Sequence, residues 1–113
     1  MEIRERQTSG ATVLELGGRF TVNDEPGKLK DAVVDAVARG ARQPLLDLSR
    51  VHYIDSTRLG ELISAHVTVT RHGGRLQLVG TPSRIAELLV MAGLDGVFER
   101  HETVEDAIKP RNV

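Results

Sequence analysis

Short apolar runs alternate with amphipathic stripes along this chain, and the alternation predicts an α/β fold. Glu2 to Arg6 reads as a short strand, and Ala11 to Leu16 as a second one carrying Val13, Leu14 and Leu16. Thr8-Ser9-Gly10 between them is turn chemistry, because glycine accepts the positive φ of a tight turn. The pair forms a predicted N-terminal β-hairpin that ends at Gly17-Gly18.

Downstream, the period changes. Leu29, Ala32, Val33, Ala36 and Val37 recur at helical spacing, with Asn23, Asp24 and Pro26 as the helix start and Gly40 as its C-terminal cap. Pro44 opens Leu45-Leu46-Asp47-Leu48, a nearly continuous apolar run of the kind found in strands buried on both faces. A predicted loop through Val51-His52-Tyr53-Ile54 leads to Asp55 and Ser56. Leu59, Leu62, Ile63 and Val67 mark a second amphipathic helix that stops at Gly73-Gly74. Leu76, Leu78 and Val79 give the next strand. Thr81-Pro82-Ser83 starts a third helix with Ile85, Leu88, Leu89 and Ala92 on its inner side, and Gly93 ends it. Val97-Phe98 reads as a short strand. Thr103, with Asp106 three positions on, reads as a weak capping box for a fourth helix that turns Ala107 and Ile108 inward. Residues 110–113 read as a frayed tail. Strands joined through helices are parallel neighbours, so the expected sheet is mixed and mostly parallel.

Composition narrows what such a fold does. A chain of 113 residues fits one domain, 1–113, with a core large enough to need no disulfide or metal. The absence of cysteine excludes thiol catalysis and zinc–thiolate sites, and it suits the cytoplasm. The net charge of −1 comes from interleaved acids and bases, which leaves no basic face for nucleic acid. An aromatic content of 3% is too low for a base-stacking platform. The charged start, Met1 to Arg6, does not resemble a signal peptide, and no apolar run is long enough for membrane insertion.

The candidate chemistry lies at Asp55-Ser56-Thr57, where a helix begins. Aspartate and serine there act first as caps, accepting hydrogen bonds from free N–H groups of the first turn. A phosphate at the same place is favoured by those donors and by the helix dipole. It adds about −1.5 to −2 charge at neutral pH, enough to repel a partner that accepts the plain hydroxyl. Other constellations are weaker. His52, Asp55 and Ser56 have the residue types of a hydrolase triad, but adjacent Asp55 and Ser56 cannot bracket a histidine. His66, His72 and His101 lack a metal-ligand spacing, and no Gly-Lys-Ser/Thr follows Gly73-Gly74.

The run from Leu45 to Gly60, LLDLSRVHYIDSTRLG, resembles the signature of the STAS family, the anti-sigma factor antagonists. There a buried strand ending in Asp-Leu leads to Asp-Ser-Ser/Thr-Gly-Leu-Gly at a helix start. His72 to Val79, Leu88 with Ala92-Gly93-Leu94, and Glu105-Asp106-Ala107 resemble later family segments in the same order. The resemblance implies a single STAS-like α/β domain with about four helices, no cofactor and no enzymatic activity of its own. It implies an anti-sigma factor that is also a serine kinase as partner, with a phosphatase that restores the unmodified state. By position Ser56 is the phosphate acceptor and Thr57 the secondary hydroxyl, in a cytoplasmic protein that is a monomer or weak homodimer. Asp55, Ser56, Thr57, Arg58, Gly60, Thr21 and Asp24 are the expected partner-binding residues.

Two positions depart from the family pattern. Arg58 stands where the family has glycine; it is expected as a solvated arginine paired with Glu61, the other option being a reach back to a phosphate on Ser56. Thr21 stands where the family has an aspartate, with Asp24 as the nearest carboxylate. These departures keep open a second role, a STAS subunit bound to the ATPase of an ABC lipid-transport system, and a third, a nucleotide-responsive scaffold.

Overall fold

The structure, a computed structural model, describes residues 1–109; the tail expected over 110–113 lies outside the described residues. Nine elements follow in order: β1 (Glu2–Thr8), β2 (Ala11–Phe20), α1 (Lys28–Ala38), β3 (Leu45–Ile54), α2 (Ser56–Arg71), β4 (Gln77–Val79), α3 (Ser83–Met91), β5 (Glu99–His101) and α4 (Val104–Ile108). The five strands form one sheet in sequence order; β1 and β2 are antiparallel and every later pair is parallel. Because each crossover advances one strand in the same direction, right-handed connections bring α1, α2 and α3 to one face.

The packing follows this topology. Leu14, Leu46, Leu48 and Leu78 from the sheet meet Leu29 and Val33 of α1, Leu59, Leu62, Ala65 and Val69 of α2, and Ile85 and Leu89 of α3. A smaller cluster of Val13, Leu45, Val79 and Val104 packs with Ala107 and Ile108, so α4 covers the other side. Thr103 caps α4 by accepting from the Asp106 N–H at 3.1 Å.

Several expected boundaries shift, each for a physical reason. The segment Val51–Ile54 is strand, not loop, and β2 continues through Gly17-Gly18 to Phe20 beside it. Between Glu15/Gly17 and Gly18/Arg19 the register slips, each time with one extra residue on β3. These bulges break the two-residue alternation that marks a strand in sequence. Gly18, with φ 92°, supplies a left-handed conformation at the second slip.

The start of α1 moves to Lys28. Its cap is Gly27 (φ 83°) without a side-chain hydrogen bond, and Asn23, Asp24 and Pro26 belong to the preceding loop. Val97-Phe98 is not a strand: Phe98 is a buried anchor, and the polar residues Glu99 to His101 form the edge ladder instead. Val67 and Ala92 turn to solvent, because the inner face of α2 runs through Ala65 and Val69 and that of α3 through Ile85 and Leu89. At Gly73-Gly74 the helix stops as expected. A Cβ on Gly74 would lie 2.4 Å from the Arg42 carbonyl oxygen, so the close passage of the two loops requires glycine there.

Candidate functional site

The parallel strands β2 and β3 end side by side, at Phe20 and Ile54. Two loops leave from there, the Thr21–Gly27 segment into α1 and Asp55 into α2. The carboxyl ends of parallel strands are where α/β sheets present their sites. The Asp55 N–H donates to the Phe20 carbonyl at 3.1 Å, extending the ladder to the start of α2.

Asp55 is the N-cap. One carboxylate oxygen accepts from the Arg58 N–H at 2.8 Å, and the other accepts from the Val22 N–H at 2.7 Å. A single side chain therefore closes the first turn of α2 and ties it to the β2–α1 loop. Ser56 is the first helical residue, and both Ser56 and Thr57 are exposed. The aspartate supplies the cap, so the Ser56 hydroxyl is not needed for it.

Arg58 differs from expectation. It pairs with Glu61, Nη1 to Oε1 at 2.8 Å, but the pair is buried, both side chains being 7% exposed. Arg58 Nε donates to the Thr21 carbonyl at 2.8 Å, and Nη2 donates to the Asp24 carbonyl at 3.0 Å. Glu61 in turn accepts from the Gly27 N–H at 3.2 Å and the Lys30 N–H at 3.0 Å. Together they form a polar latch that satisfies backbone groups along the whole β2–α1 loop. The reach back to Ser56 is not made. Residues two apart on a helix do not face each other, and swinging Arg58 out would leave Glu61 buried and unpaired.

Asp24 is held inward as well. Its carboxylate accepts from the Thr21 N–H at 2.7 Å and from the terminal amine of Met1 at 2.5 Å. The terminal amine first, then the Thr21 N–H, lowers its pKa below the ordinary aspartate value. Thr21 is half-buried and presents no carboxylate, while Val22 next to it is 57% exposed. Gly60 sits on the exposed side of α2, and a Cβ there would meet nothing within 4 Å.

On the other side of Ser56 lies a groove of about 350 Å³ between the end of β3, the start of α2 and α3. Tyr53, Ser56, Arg84, Glu87, Leu88 and Met91 line it. Met91 is 84% exposed although it is apolar. Arg19 stacks on the Tyr53 ring, 4.7 Å from its centroid. Sequence periodicity did not mark this groove, because Tyr53 sat in an expected loop and Leu88 in an expected core. The exposed Val90-Met91 end of α3 was the available signal.

The histidines are dispersed. His66 packs edge-on against Phe98 at 5.1 Å, the His72 ring lies 2.8 Å from the Thr68 carbonyl oxygen, and His101 lies 3.4 Å from Glu99. Among the described residues no group of His, Asp and Glu has the arrangement of a metal site, and no helix is long and apolar enough to cross a membrane.

A family model described as "Mlab, STAS domain" matches residues 3–102. The chain belongs to the STAS family. It is 28% identical over 99 residues to an anti-sigma-B factor antagonist of Listeria monocytogenes, covering 88% of this chain and 85% of that protein. An anti-sigma-factor antagonist (STAS) domain protein from Planctomyces limnophilus superposes with a TM-score of 0.77 at 22% identity, covering 93% of each chain. The Bacillus cell fate determinant SpoIIAA in its phosphorylated form superposes with a TM-score of 0.70 at 17% identity, covering 95% of this chain and 96% of that one. The five-stranded mixed sheet with four helices is the STAS fold.

Proposed function

We propose that this STAS domain is an anti-sigma factor antagonist whose partner binding is switched off by phosphorylation of Ser56. One observation carries the reading: Ser56 stands exposed at the first residue of α2 while Asp55, not Ser56, caps the helix. Its hydroxyl is therefore open to modification without loss of the cap. The names of the relatives support the antagonist role, and the solved phosphorylated form of SpoIIAA supports a modifiable state for this fold.

The domain is a substrate and not an enzyme in this reading. A bond forms between Ser56 Oγ and the γ-phosphorus of ATP as the bond to ADP breaks, and the hydroxyl proton passes to a base of the kinase. The partner is an anti-sigma factor serine kinase, and a phosphatase reverses the step. Thr57 is the secondary acceptor. Asp55, Ser56, Thr57 and Gly60 present the recognition surface, with Val22 beside them. Gly60 fits that role: glycine costs a helix about 1 kcal/mol relative to alanine, and packing within the chain does not require it. Arg58, Thr21 and Asp24 act from beneath, by holding the loop that carries Val22.

The test is incubation with ATP and a histidine-kinase-like ATPase encoded beside this gene, followed by mapping of the phosphate by mass spectrometry. Modification at Ser56, lost in Ser56→Ala, is the expected result. If no such kinase from the same cell modifies Ser56, the reading fails. The buried Arg58 and the missing carboxylate at Thr21 favour one other role, a STAS subunit on the ATPase of an ABC lipid-transport system. Co-purification with such an ATPase that is insensitive to Ser56→Asp is the result that selects it.

A further inference from the structure

Two arginines lie near Ser56, and the structure separates them. Arg58 is close in sequence but locked into the latch with Glu61, Thr21 and Asp24. Arg84 is distant in sequence but lines the same groove as Ser56, from the first turn of α3. It is exposed, and no hydrogen bond or ion pair engages it among the described residues.

The charges around this groove come from three elements. Asp55 directs its carboxylate oxygens at the Val22 and Arg58 N–H groups. Glu87 stands one helical turn beyond Arg84 on α3. Tyr53, from β3, carries Arg19 on its ring face. Arg84 is thus the one cation among the described lining residues, carried on a long flexible stem at the groove wall.

Resting on the reading that Ser56 is modified, we propose that Arg84 receives the phosphate of phosphorylated Ser56 and folds across the groove between α2 and α3. A phosphoserine offers three strong acceptor oxygens, and a guanidinium pairs with them through charge-assisted hydrogen bonds. The bridge joins the start of α2 to α3 and covers the apolar wall formed by Leu88 and Met91. Modification then removes a docking surface in addition to adding charge. Glu87 opposes the bridge, since it repels the phosphate and attracts Arg84 in the unmodified state.

The test places phosphoserine at position 56 during translation, so it needs no kinase. The phosphorus-31 shift is followed against pH, and the methyl signal of Met91 is recorded alongside. An arginine partner favours the dianion and lowers the second pKa of the phosphate. Arg84→Gln is expected to raise that pKa by about 0.5 unit, with Arg84→Lys recovering more than half of the shift. The Met91 signal is expected to move on phosphorylation with Arg84 present and to stay in place in Arg84→Gln. Arg84 is exposed, so circular dichroism should show both variants folded. Identical titrations for the parent, Arg84→Gln and Arg84→Lys overturn the proposal. Failure of every kinase to modify Ser56 removes the functional reading instead, and leaves the titration result standing.

Discussion

The two sides of Ser56 are built on opposite principles. Toward the β2–α1 loop, Asp55, Arg58 and Glu61 satisfy one another and the backbone, and the Arg58–Glu61 pair is as buried as a core residue. Toward α3, the groove is open, apolar along Leu88 and Met91, and its arginine is unengaged among the described residues. One wall is preorganised and the other is adaptable. A partner that docks here meets a loop already in place, which limits the ordering cost of binding, and a surface still able to change. The family's glycine at the Arg58 position leaves the first turn of α2 open. In this chain the arginine folds inward and fills the space beneath Val22.

The largest expected effect comes from breaking the rigid wall. Arg58→Met leaves the Glu61 carboxylate buried without its cation, a change that typically costs about 3–5 kcal/mol. Urea unfolding should show that loss as a lower midpoint. Replacing both residues, Arg58→Met with Glu61→Met, should recover most of it, because an apolar pair of similar volume is often neutral in such a site. The rescued double variant should still exchange the amides of Gly27 and Lys30 faster than the parent, since their Glu61 acceptor is gone. A single variant as stable as the parent contradicts the latch.

This contrast was only partly legible in the sequence. The order of elements, the cap at Asp55 and most of the inner stripes of α1, α2 and α3, Val67 and Ala92 excepted, follow from local periodicity and capping chemistry. The Arg58–Glu61 pair was visible as an i,i+3 spacing, but its burial was not. That burial depends on the β2–α1 loop passing over α2, a contact between segments distant in sequence. The strand character of Val51–Ile54 was hidden by the bulges that shift its register. Asp24 read as part of a helix start because aspartate is a good cap; the loop instead needed it to hold Thr21.

A smaller effect should appear with pH, from Asp24 on the rigid side and from the Glu5–Arg39 pair between β1 and the end of α1. Asp24 is held below the ordinary aspartate pKa by the terminal amine and the Thr21 N–H, and Glu5 is held low by Arg39. A depressed folded-state pKa means the stabilisation is fully present above the unfolded value. It is lost as pH falls through the folded one. Stability measured by urea midpoints should therefore decline below about pH 4. Asp24→Asn should lower the neutral midpoint and flatten the decline. An unchanged slope would assign the acid sensitivity elsewhere.

The smallest effect on folding should come from the adaptable wall, and this is what makes it informative. Met91→Ser removes an apolar side chain that is already 84% exposed, so little burial is lost. Surface changes of this kind usually fall within about 0.5 kcal/mol. Partner binding should respond differently. Exposed apolar side chains beside a groove are a usual mark of an interaction surface, and truncating one that becomes buried on docking typically costs about 1 kcal/mol or more. The measurement is a pair: the unfolding midpoint of the isolated domain, and the dissociation constant for the anti-sigma factor kinase proposed as its partner. Affinity lost without stability lost places the docking surface on the α3 side. Equal affinity would confine recognition to the latch side, with Val22 as its apolar contact.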